Sequence, residues 1–156
     1  MHRFVLLAVA ITVAACSKTP TTATATFEPK SGSQITGTAT FDEANGSTQI
    51  TIAAKAMAPG KHAIVIHEKG DCTGSNAAAV GNRFQPGGDK EAGLLGEMEA
   101  GADGTGTLKV SSSKFTVAPG DRSVVGKSIV ISGDPANPGS LTTFGIISCG
   151  VIDVAH

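Results

Sequence analysis

The stretch Ile35-Thr-Gly-Thr-Ala-Thr-Phe-Asp-Glu-Ala-Asn45-Gly46-Ser-Thr-Gln-Ile-Thr-Ile52 decides the fold class. Ile35, Gly37, Ala39 and Phe41 alternate with Thr36, Thr38 and Thr40, a period of two that suits a strand with one buried face. Asn45-Gly46 is a two-residue hairpin signal, because both positions tolerate a left-handed backbone. Beyond it Thr48, Ile50 and Ile52 alternate with Gln49 and Thr51, which completes the hairpin. The same grammar continues outward in both directions. Period two begins near Thr22, Pro59-Gly60 turns the chain into His62–Glu68, and a Gly-rich irregular stretch runs from Gly70 to Leu95. Further short strands are expected near Gly96–Ala100, Thr107–Ser111, Lys127–Ser132 and Gly150–Ala155, with a turn at Asp103-Gly104 and a loop over Gly133–Ser140. About eight short antiparallel strands separated by Gly and Pro turns predict an all-β sandwich or barrel.

Composition narrows the function classes. The chain has 156 residues, enough for one domain, with 20 Gly, no Trp, no Tyr and 16% charged residues. A formal net charge of −1 without a basic patch argues against a nucleic-acid partner. No internal repeat or second domain is evident. Three cysteines is an odd count, which in an exported chain needs its own explanation.

Residues 1–15 read as an address rather than as structure. A positive start is followed by the apolar run Phe4–Ala15, too short for a permanent membrane span. Val13-Ala14-Ala15-Cys16 resembles a bacterial lipobox, which implies acylation of Cys16 and removal of residues 1–15. An ordinary secretory signal followed by a chance cysteine is the alternative. The expected organisation is a signal over 1–15, a polar tether over 16–23 and one domain over 24–156. Ser17 after the cysteine implies outer-membrane sorting, so the domain is expected on the bacterial envelope, lipid-anchored and facing the periplasm. A homodimer or another envelope protein is the expected kind of partner.

Several segments in order resemble the Cu/Zn superoxide dismutase family. They are Gly60-Lys-His-Ala-Ile-Val-Ile-His-Glu-Lys-Gly-Asp-Cys72, Gly81-Asn-Arg-Phe-Gln-Pro86, Leu94-Leu-Gly-Glu97 and Cys149-Gly-Val-Ile152. Val124–Ile131 matches the strand before the family's last copper histidine. The resemblance implies an eight-stranded Greek-key barrel and an intrasubunit disulfide between Cys72 and Cys149. It also implies a ligand set, and here this chain departs from its family. The paired copper histidines fall at Val65 and His67, the bridging histidine at Arg83 and the last copper histidine at Ser132. The zinc positions fall at Arg83, near Glu91 and at Leu94, and the second zinc histidine has no counterpart. The family's anion-steering arginine falls at Ile146.

Valine and leucine offer no lone pair, and a guanidinium only donates hydrogen bonds. Structural zinc takes four ligands, so the remaining candidates do not suffice. Only His67 stands at a copper position, where it reads as vestigial. His62 and His67 are five apart, hence on opposite faces of one strand, and His62 matches a structural histidine of the family. His156 is terminal. No cofactor is therefore expected, and copper or zinc would require a different ligand set. The expected function is a non-catalytic binding or structural module. The alternatives are a dismutase, converting superoxide to oxygen and hydrogen peroxide at an atypical site, or a metal or haem carrier.

Overall fold

A computed structural model describes residues 21–133 and 145–155. The expectations for 1–15, for Cys16, for most of the Gly133–Ser140 loop and for His156 lie outside the described residues. Nine strands form: β1 (Thr22–Pro29), β2 (Thr36–Ala44), β3 (Ser47–Lys55), β4 (Gly60–His67), β5 (Leu94–Ala100), β6 (Gly106–Ser112), β7 (Ser128–Gly133), β8 (Gly145–Val151) and β9 (Asp153–Val154). The last resumes the line of β8 after Ile152, so the barrel has eight strand positions. Single 3-10 turns at Ala78–Val80 and Pro86–Gly88 interrupt the long segment between β4 and β5.

The strand order is β2-β3-β6-β5-β4-β7-β8-β1-β9, every pairing is antiparallel, and β1–β2 pairing closes the sheet. The β3–β4 and β6–β7 connections each pass over two strands, which makes the topology a Greek key. The expected all-β barrel is therefore what the chain forms. Alternation supplies its core: Phe41, Ile50, Ile52, Ile64, Ile66, Met98, Ile129 and Ile131 are all under 2% exposed. The opening hairpin turns as its residues require, with Asn45 at φ 53° and Gly46 at φ 77°.

One strand differs from its expectation. The last long strand begins at Gly145, not at Gly150. The physical reason is a bulge: Ile131 pairs with Ser148 and Ser132 with Ile146, so Ile147 is the extra residue and period two is lost there. A second bulge lies on the other flank, where Ile64 pairs with Gly96 and Val65 with Leu94. Leu95 is skipped, and Gly96 takes φ 130°, which a side chain would resist.

The β5–β6 seam is held by the single pair Ala100↔Gly106 at the hairpin end. The loop before β5 reinforces it. Phe84 stacks on Phe115 at 6.2 Å, and Asp89 pairs with Lys114 at 2.7 Å. The same loop carries Arg83, so closing the barrel also positions the site.

Candidate functional site

Strand β4 has two apolar faces. His62, Ile64 and Ile66 point into the barrel, whereas Ala63, Val65 and His67 point outward beneath the long loops. The outer face is covered in part by a second apolar cluster of Val65, Cys72, Ala77, Val80, Val130 and Cys149, with Ile146 and Val151 packed on it. Cys72 and Cys149 are joined by the disulfide that crosses this cluster. The bridge thus straps the loop after β4 onto β8.

Beside the strap lies a cavity of about 530 Å³. Val65, His67, Arg83, Leu94, Ser132 and Ile146 all line it. These positions, scattered over 82 residues of sequence, converge because β5 and β7 flank β4, β8 flanks β7, and the two bulges sit beside the cavity. Arg83 arrives by a different route. A lone bridge pairs it with His67, Phe84 N–H donates to the Ile66 carbonyl at 2.8 Å, and Ile66 N–H donates to the Gly93 carbonyl at 2.8 Å. Gly93 is needed at this crossing. A Cβ there would come within 2.6 Å of the Phe84 carbonyl oxygen and 2.8 Å of the Ile66 carbonyl oxygen.

The polar groups are held as follows. His67 Nδ1 donates to the Gly81 carbonyl at 2.8 Å, which leaves Nε2 as the ring nitrogen without a partner among the described residues. Arg83 Nη1 donates to Glu91 Oε2 at 3.2 Å and reaches the Lys90 carbonyl at 3.5 Å. Glu91 itself does not line the cavity; it acts as a counter-ion from the loop. Glu97, on the outer rim, pairs with Lys61 at 3.0 Å, and this contact raises the Lys61 pKa, first through the hydrogen bond and then through the charge. His62 belongs to the barrel interior, where Nε2 donates to the Ala58 carbonyl at 2.8 Å. Neither His62 nor Lys127, which sits 4.8 Å above the Phe84 ring, lines the cavity.

Four lining residues were not anticipated from the sequence: Ala63, Gly96, Glu97 and Gly145. For Ala63 and Glu97 the signal was available only in part. Ala63 shares the i, i+2 face with Val65 and His67, and Glu97 is its cross-strand partner.

With that geometry in place, comparison with known proteins identifies the class: an antiparallel Greek-key barrel of the superoxide dismutase type. The family described as copper/zinc superoxide dismutase (SODC) matches residues 35–152, and the chain belongs to that family. Among solved structures, the clock protein EA4 superimposes with a TM-score of 0.74 at 20% identity, over 92% of this chain and 100% of that one. At that identity the likeness speaks for the fold.

The family implies copper and zinc, and the side chains around the cavity do not fit them. One imidazole, one hydroxyl and one carboxylate that is already paired with Lys61, beside a guanidinium and aliphatic groups, make no first-row transition-metal site. Among the described residues, no three His, Cys, Asp or Glu side chains come together to hold a metal.

Proposed function

We propose that this protein is a non-catalytic member of its family, a lipid-anchored envelope module that acts by binding rather than by turnover. The observation that carries the reading is the convergence of Val65, His67, Arg83, Leu94, Ser132 and Ile146 on one cavity. The site has kept its place in the fold while its donors have been replaced. Dismutation needs a redox metal cycling between two states, and a permanently charged guanidinium at the bridging position repels a cation. Fold alone does not restore the activity.

The lipobox-like Val13–Cys16 supports anchoring through Cys16 and an outer-membrane location facing the periplasm. A disulfide between Cys72 and Cys149 accords with an oxidising compartment. The partner would be a second copy or another envelope protein.

Two measurements test this. Superoxide consumption after copper and zinc reconstitution should equal that of the buffer with the same free copper. Activity that follows the protein and vanishes in His67→Gln would overturn the non-catalytic reading. Metabolic labelling with a palmitate analogue should mark the protein and be lost in Cys16→Ser; labelling that persists in that variant would refute the anchor.

A further inference from the structure

We propose that the cavity on the outer face of β4 binds a small amphiphilic monocarboxylate. Its apolar part would lie against Val65, Leu94 and Ile146, and its carboxylate on Arg83. The inference rests on the reading that metal does not occupy this cavity, and it names the class of ligand that takes its place.

Three observations carry it. The first is shape and lining. About 530 Å³ lies within the size range of small-molecule sites, and the walls are chiefly aliphatic with few polar groups. The second is Leu94. It is the large apolar side chain left exposed among the described residues, at 40%, and it lines this cavity. Where the family carries an acidic metal ligand, this chain presents hydrocarbon to solvent, which is favourable once a ligand covers it.

The third is charge. The cavity's carboxylate, Glu97, is already paired with Lys61, so it adds little net negative potential. Arg83 is the available cation. Only its Nη1 is engaged, by the Lys90 carbonyl and by a Glu91 side chain that is 75% exposed. Exposed pairs of this kind are weak and readily exchanged. Nε and Nη2 have no acceptor among the described residues, and a carboxylate entering the cavity can take two donors of the guanidinium fork. His67 lines the same space, and its Nε2 has no partner among the described residues.

Octanoate and 1-octanol are the probes, differing in the charged head. Titration calorimetry with the whole protein should give one octanoate per chain, with NMR shifts at the methyls of Val65, Leu94 and Ile146. Octanol should bind at least about tenfold more weakly, the scale of a charge-assisted hydrogen bond. Arg83→Met should weaken octanoate by about the same factor and leave octanol unchanged. Ile146→Phe, which fills the cavity, should weaken both.

Equal affinity for the two probes, shifts confined to other methyls, or no octanoate binding up to about 1 mM would each overturn the proposal. The titration is repeated with one equivalent of copper. Unchanged octanoate affinity supports the proposal. Copper that displaces octanoate from the wild type but not from His67→Gln would overturn the metal-free reading beneath it.

Discussion

Removing the strap between Cys72 and Cys149 is the perturbation whose size follows most directly from the structure. The bridge spans 77 residues of sequence, from the loop after β4 to β8. In the chain-entropy account, opening a loop of that length returns about 15 cal/mol/K to the unfolded chain, or about 4.5 kcal/mol at 25 °C. Both cysteines are buried in an apolar cluster, so Cys72→Ala/Cys149→Ala is preferable to serine, which would bury two hydroxyls. At about 2.1 cal/mol/K of unfolding entropy per residue, a domain of this length should lose about 15 °C in Tm. Guanidinium unfolding of the oxidised protein and the double variant gives ΔG directly. The m-value should rise in the variant, because its unfolded state is no longer cross-linked. Reduction of the wild type should give the same midpoint as the double variant. A loss below about 1 kcal/mol with unchanged m would mean that the bridge constrains nothing that unfolds.

Other expectations concern the crossing at Arg83 and the seam beside it. Gly93→Ala places a methyl against two carbonyl oxygens and should cost about 3 kcal/mol by denaturant unfolding; a neutral effect would contradict the close approach of β4, Phe84 and Gly93. Asp89 is held below the usual carboxylate range, first by its hydrogen bond to Lys114 and then by the Glu91 backbone N–H. Its folded value being depressed, the stability it contributes is present above the ordinary carboxylate range and is lost as pH falls through the folded value. Carboxyl NMR should show that low midpoint, and Lys114→Met should raise it; an unmoved midpoint would discount the pair. Val65→His/Arg83→His/Ser132→His surrounds His67 with three imidazoles and should bring copper binding below about 1 μM by competition titration. No gain over wild type would mean that the positions share a cavity but not a coordination sphere.

The fold was legible wherever strands alternate cleanly. Ile50 and Ile52 on one side and Gln49 on the other give strand, face and register together, and Asn45-Gly46 gives the turn. Legibility fails at the bulges. Ile146-Ile147 breaks the period of two, because one residue is extra: Ile147 joins the main core whereas Ile146 packs on the outer cluster. That is also why the sequence pattern alone starts the strand late, at Gly150. Much of the candidate site could be named from segments that resemble the family, yet that resemblance gives positions and not their company. The pairing of Arg83 with Glu91 joins two loop residues that no periodicity relates. Glu97 enters the cavity lining as the cross-strand partner of Ala63, a relation that becomes visible only once β4 and β5 are in register. The cavity likewise depends on four strands and a loop meeting, not on any one stretch of chain.

We propose that the barrel of the copper/zinc dismutase family persists here around a cavity that does not take the metal. Copper content by mass spectrometry, after loading the purified protein and dialysing it against a weak chelator, tests that most directly. A small fraction of one copper per chain is expected, the same in wild type and His67→Gln. One tightly held copper per chain in the wild type, lost in His67→Gln, would contradict it.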